Sequence, residues 1–146
     1  MKHCDTPKHG RLISSVTRLM KLYISRTLSE QGIPIRDIHL FVLLDILHFQ
    51  GTSFKESCFR QACDKTTLTK SVKKLVELGY VEVREDEKDK RISRLYTTET
   101  AHNILMPCKD VMIGMREHLY KDMSEEEVES LNSLMGKVHS NLLDIL

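Results

Sequence analysis

The hydrophobic pattern of this chain changes period at Gly79, and that junction limits the folds open to it. Residues 65–78 read KTTLTKSVKKLVEL. At about 100° per residue, Leu68, Val72 and Leu75 fall on one side of a helix, and lysines and threonines fall on the other. After Gly79, residues 80–84 (YVEVR) and 92–97 (ISRLYT) are short and β-prone, with the charged loop 85–91 between them. An amphipathic helix must therefore run straight into a hairpin.

The segment before the helix sharpens this reading. Ser53 and Glu56 form a capping-box pattern that opens a short helix reaching to about Gln61. Asp64 can cap the helix 65–78, so two helices meet across a tight turn. A helix-turn-helix followed by a hairpin is the winged-helix order. Upstream, 10–31 carries a helical stripe through Leu12, Val16, Leu19, Tyr23 and Leu28, with Gly32 placed to end it. Residues 38–49 are apolar nearly all round, as a buried helix would be.

Downstream, Thr98 can cap a helix towards Lys121, with apolar-type positions at Ala101, Leu105, Cys108, Met112, Met115 and Leu119. Ser124 and Glu127 open a last helix with Val128, Leu131, Met135, Val138, Leu142 and Ile145. Both stripes alternate steps of three and four, the spacing of helices that pack lengthwise, and the surplus of apolar helix suggests a homodimer. Pro107 predicts a kink or local break near Met106. The expected class is mainly α with a small β-hairpin. The expected organisation is a mobile tail over 1–9, a helical dimerisation domain from 10–32 and 98–146, and a winged helix-turn-helix domain over 33–97, with its wing at about 80–97.

The formal net charge is +1, so bulk charge gives no argument for nucleic acid. Local clustering does. From Lys65 to Lys74 there are four lysines and no acid. Lys65, Thr66, Thr67, Thr69, Lys70, Lys73 and Lys74 offer short hydroxyls for base edges and phosphates, and cations to release counterions. Arg84, Lys88, Lys90, Arg91 and Arg94 lie on or beside the loop, where an arginine at the tip can enter a minor groove. The loop also carries Glu85, Asp86, Glu87 and Asp89, which would repel phosphate unless they hold the basic groups in place. Double-stranded DNA is the expected partner. The competing reading is a winged-helix module that binds another protein, for which exposed apolar residues would be expected on this face.

Other function classes find little support. There is no Gly-rich phosphate loop, no G-x-S-x-G elbow and no H-E-x-x-H, so an enzyme is not expected. No apolar run is long enough to span a bilayer and the first residues are polar, which predicts a soluble, cytoplasmic protein. Cys4, Cys58, Cys63 and Cys108 show no C-x2-C spacing and read as reduced thiols. Cys58 and Cys63 flank the turn near Lys55, Arg60 and Lys65, where a reactive thiol is the alternative. No cofactor or metal is expected; Glu117, His118 and Asp122 form only a loose cluster.

The stretch 64–101 resembles the recognition helix, wing and following helix start of the multiple-antibiotic-resistance regulator (MarR) family. Asp89-Lys90-Arg91 matches that family's Asp-x-Arg wing signature, and the six-helix layout is similar over nearly the whole chain. The resemblance implies a homodimer joined through the first, fifth and sixth helices and bound to a pseudo-palindromic site. It implies that Arg91 enters the minor groove and that Asp89 orients it. Many members are repressors released by small aromatic or phenolic ligands, and some sense peroxides or zinc. The family's effector pocket lies between dimerisation helices and DNA-binding lobe, where His39, Cys108 and Met112 are the expected lining residues. The chain departs from the family pattern with Ser57-Cys58 in place of Leu-Ala, and with Ala101 in place of Gly.

Overall fold

A computed structural model describes residues 8–146. Its elements are α1 (Lys8–Glu30), α2 (Asp37–His48), β1 (Thr52–Ser53), α3 (Phe54–Gln61), α4 (Lys65–Glu77), β2 (Val81–Glu85), β3 (Ser93–Thr97), α5 (Glu99–Tyr120) and α6 (Glu125–Leu143). α1 thus begins inside the stretch read as a tail; the rest of that stretch, with Cys4, lies outside the described residues. Contacts divide the chain into two compact units, one ending at Met112 and the other spanning Ile113–Leu146.

In the first unit α2 is the central helix. Its Leu40, Val42, Leu43 and Ile46 are fully buried, as a helix apolar on most sides must be. Leu68, Val72 and Leu75 of α4 are buried too, along with Leu95 of β3 and Ala101, Ile104 and Cys108 of α5. Ser25 ties α1 to the start of α2: its Oγ donates to the Asp37 carboxylate at 2.8 Å and accepts from the Asp37 backbone N–H at 2.9 Å. The His39 ring reaches back at the same helix start, where Nδ1 accepts the Arg36 backbone N–H at 3.1 Å.

That bond leaves no room for a proton on Nδ1. Burial lowers the His39 pKa below 6.5, and Arg36 and Lys74 lower it further. The unfolded chain therefore binds more protons in the window just below 6.5, so this contribution to stability is complete above that value and is lost as pH falls. The denaturation midpoint is expected to drop between pH 7 and pH 5.5, and His39→Leu is expected to flatten that segment of the curve. An unchanged slope in the variant would remove His39 as its source.

The sheet has the order β1-β3-β2 and is antiparallel throughout. β2 and β3 form the expected hairpin, with Val83 opposite Leu95 and Glu85 opposite Ser93. The two-residue β1, which sequence alone does not suggest, adds Thr52 opposite Leu95. It fastens the start of α3 to the middle of β3.

Three helices end in the same way. At α1, Ile33 N–H donates to Leu28 C=O and Gly32 N–H to Ser29 C=O. At α4, Tyr80 N–H donates to Leu75 C=O and Gly79 N–H to Val76 C=O. At α3, Cys63 N–H donates to Cys58 C=O and Ala62 N–H to Phe59 C=O. Each is a Schellman motif with its pivot residue in the left-handed region. Gly32 (φ 70°) and Gly79 (φ 75°) adopt it without a steric cost, whereas Ala62 (φ 46°) carries a Cβ there.

Two expectations for the C-terminal helices are corrected. Of the kink or break expected at Pro107, the break does not occur: α5 is continuous there, since one proline removes a single N–H. Its buried stripe also differs: Ile104 and Val111 are buried where Leu105 and Met112 were expected, and those two are half-buried. The helix is apolar on adjacent faces, so spacing alone did not select between them. α6 opens with the expected capping box, Ser124 N–H to Glu127 at 2.9 Å and Glu127 N–H to Ser124 Oγ at 3.2 Å. None of its residues is buried, and Leu131, Leu134, Met135, Val138 and Leu142 are exposed. Among the described residues no helix is long and apolar enough to cross a membrane.

Candidate nucleic-acid interface

α4 starts at Asp64, whose carboxylate accepts the Thr67 backbone N–H at 2.8 Å and the Thr67 hydroxyl at 2.6 Å. These bonds hold the Asp64 carboxyl below its usual pKa. Thr67 therefore serves the cap and is half-buried, not part of the outer face. Lys65, Thr66, Thr69, Lys70, Lys73 and Lys74 are all exposed. The Thr69 hydroxyl donates to Lys65 C=O at 2.7 Å and keeps its lone pairs for an outside donor. Lys74 lies on the flank nearest α2, where its charge is felt by His39.

The wing is built by its acids. Asp86 accepts the backbone N–H groups of Lys88 and Asp89, both at 2.9 Å, and Arg94 Nε at 2.7 Å. The Asp89 N–H, then Arg94 and the Lys88 N–H, bring the Asp86 carboxyl down to about 2. Asp89 in turn accepts the Arg91 backbone N–H at 3.0 Å. It shapes the loop beneath Arg91 without clasping the guanidinium. Arg94, grouped by sequence with the loop's basic residues, turns inward to Asp86, to Gly51 C=O at 3.3 Å and to Glu56 at 3.5 Å. Arg84 pairs with Glu82, its guanidinium 4.6 Å from the Tyr96 ring centre. Of the three wing arginines, Arg91 is the exposed one with no carboxylate partner among the described residues.

Arg91 lies beside α4 across a groove. Lys65 and Thr69 of α4, Lys55 and Cys58 of α3, and Arg91 and Ser93 of the wing line a cavity of about 750 Å³. Phe54 and Ile92 line it too, and among the described residues its charged lining is three cations with no carboxylate, so the groove suits a polyanion. Lys55 was not among the expected contacts. Its signal was its place in the first turn of the capped helix.

A buried clamp holds α3 against α2. Asp45 accepts from Ser57 Oγ at 2.8 Å and from Arg60 Nε and Nη2 at 2.7 and 2.9 Å. Arg60 also donates to Thr52 Oγ1 at 2.6 Å and stands 4.1 Å from the Phe49 ring centre. Burial alone would raise the Asp45 pKa; the Arg60 and Ser57 hydrogen bonds outweigh it and the pKa is lowered. Ser57, a departure from the family pattern, is thus a partner of this acid.

A family model described as a winged helix DNA-binding domain matches residues 36–101, the span from α2 to the start of α5 that contains the whole groove. Over 88% of this chain and 91% of the other, the structure superimposes on a mutant MarR from E. coli complexed with operator DNA, with a TM-score of 0.80 and 26% identity. The chain carries a winged helix DNA-binding domain and is similar in structure to MarR. A MarR transcriptional regulator from Methanosarcina mazei gives a TM-score of 0.86 at 24% identity, covering 94% of this chain and 97% of that one. An HTH-type transcriptional regulator of Staphylococcus aureus is 29% identical over 104 residues, 70% of this chain and 71% of its own length. The winged helix-turn-helix of this chain is thus a DNA-binding domain, similar to those of these transcriptional regulators.

None of the three residues expected around a MarR-type effector pocket is among those lining the groove. His39 is half-buried at the α2 start, Cys108 is buried on α5 with its thiol pushed up to about 11 by burial, and Met112 is half-buried. Among the described residues no three His, Cys, Asp or Glu side chains form a metal-binding group.

Proposed function

We propose that the protein is a cytoplasmic, ligand-responsive repressor that binds a pseudo-palindromic operator as a homodimer. Residues 10–32 and 98–146 supply the dimer contacts, and 33–97 the DNA-binding lobe. In each lobe Thr66, Thr69, Lys70 and Lys73 of α4 face the major groove. Arg91 enters the adjacent minor groove, with Lys65 and Lys74 on phosphate. The observation that carries this reading is the groove shared by recognition helix and wing, in which Lys55, Lys65 and Arg91 stand beside Thr69. The dimer is supported by apolar side chains left in water: Leu12, Leu19 and Leu22 on α1, and Leu134, Val138 and Leu142 on α6. A small organic ligand lodged near His39, Cys108 and Met112 would favour a lobe spacing mismatched to the operator.

Selection of duplexes from a random pool by the purified protein, followed by footprinting, tests the reading. Two half-sites with centres about one helical turn, roughly 34 Å, apart are expected. A pool with no enriched sequence would overturn it. Lys70→Ala and Lys73→Ala are each expected to reduce the slope of log affinity against log salt by about 1. An unaltered slope in both would take the outer face of α4 out of the interface.

A further inference from the structure

At α1 and α4 the two residues that a Schellman motif brings side by side are Leu28 with Ile33 and Leu75 with Tyr80. This is the place where such a motif usually makes an apolar contact. At α3 the same two places are taken by Cys58 and Cys63. The Cys63 backbone N–H donates to Cys58 C=O at 3.2 Å, both side chains are half-buried, and neither is in a disulfide. The motif thus holds two cysteines side by side at the hinge between α3 and the recognition helix.

We propose that Cys58 and Cys63 form a reversible intramolecular disulfide on exposure to hydrogen peroxide, and that this bond weakens DNA binding. The proposal rests on the DNA-binding reading and adds a regulatory site to it. Cys58 lines the groove with Lys55, Lys65 and Arg91, so peroxide reaches it from solvent. The Cys58 sulfur attacks one peroxide oxygen; an S–O bond forms, the O–O bond breaks, and the departing hydroxide leaves as water with the Cys58 proton. The Cys63 sulfur then attacks the Cys58 sulfur. The S–S bond forms, the S–O bond breaks, and the second hydroxide takes the Cys63 proton. Two thiols lose two electrons, and one peroxide becomes two waters. Burial and the neighbouring Cys58 raise the Cys63 pKa, so Cys63 keeps its proton until that step and acts as the resolving thiol.

The bond has a structural consequence. A disulfide holds its sulfurs about 2.05 Å apart, well inside the contact distance of two thiols. Closing that gap moves Cys58 in the groove wall and shifts Cys63, which directly precedes Asp64, the cap of α4. Lys65 and Thr69 then shift relative to Arg91. Cys108, buried and with a raised pKa, serves as the internal control that should stay free.

The test treats full-length protein with hydrogen peroxide and measures binding to the duplex recovered by selection, before and after dithiothreitol. Trypsin cuts at Arg60, between the two cysteines, so the bridge is read as two joined peptides short of two hydrogens. A bridged peptide pair and a roughly tenfold loss of affinity, restored by the reductant, are expected. Cys63→Ser should bind as the untreated parent does and should give no joined peptides and no such loss; Cys63→Ala replaces it if the serine fails to fold. The proposal is overturned if both thiols remain free, if the bridge runs to Cys4, Cys108 or a second chain, if it forms with affinity unchanged, or if Cys63→Ser loses affinity as the parent does. Reduced parent that retains no duplex would instead count against the DNA-binding reading, with the bridge still scored by mass.

Discussion

Asp45→Ala is expected to destabilise the protein by about 3 kcal/mol, because it removes one half of a buried ion pair and leaves the rest in place. Asp45 is 8% exposed and accepts three hydrogen bonds from Ser57 and Arg60. Truncation strands the Ser57 hydroxyl, which is wholly buried, and that alone costs about 1–3 kcal/mol. The Arg60 side chain is 27% exposed and can turn part of its charge to water, which keeps the total near the lower end of the range for broken buried pairs. For a chain of this size the expected fall in Tm is about 6–12 °C. Asp45→Asn, which still accepts from Ser57, should lose less. The lowered Asp45 pKa gives a second signature. Its contribution is complete above pH 3.8 and is lost as pH falls through the folded value, a segment that Asp45→Ala should lack. An alanine variant that melts with the parent would show that the clamp does not hold α3.

The clamp also marks where sequence reading stops. Helix boundaries were legible because they are local: Ser53, Asp64 and Ser124 cap the helices they precede, and Gly32 and Gly79 close the ones they follow. The core face of α4 was legible because Leu68, Val72 and Leu75 are the apolar residues on a helix otherwise polar. Asp45 was visible only as an interruption in an apolar run, since its partners Ser57 and Arg60 belong to another helix. The α5 face was ambiguous because apolar residues occupy adjacent stripes. β1 was missed because two residues carry no period. The wing shows the same limit. Arg84, Arg91 and Arg94 are equivalent as letters, and strand pairing and Asp86 decide that Arg94 faces inward and Arg91 outward. Cys58 and Cys63 stood on either side of a turn, but their contact depends on Ala62 adopting a conformation more usual for glycine.

Arg91→Ala is expected to weaken operator binding by about 1–3 kcal/mol, a loss of roughly 5- to 150-fold. The magnitude follows from where Arg91 stands. It is exposed, its guanidinium is not committed to a carboxylate, and its backbone is held by Asp89 in a loop that Asp86 braces from within. The side chain is thus free to bind while its anchor is fixed, which reduces the ordering cost of entering a narrow groove. Arg91→Lys separates shape from charge: a minor-groove contact needs the weakly hydrated planar guanidinium, so lysine should restore the salt slope and only part of the affinity. Asp86→Ala should also weaken binding although it removes a negative charge, because the loop N–H groups and Arg94 lose their common acceptor. A simple charge effect predicts the opposite sign. Tighter binding by Asp86→Ala would mean that the wing acts only as a diffuse charge, and unchanged binding by Arg91→Ala would mean that α4 alone reads the duplex.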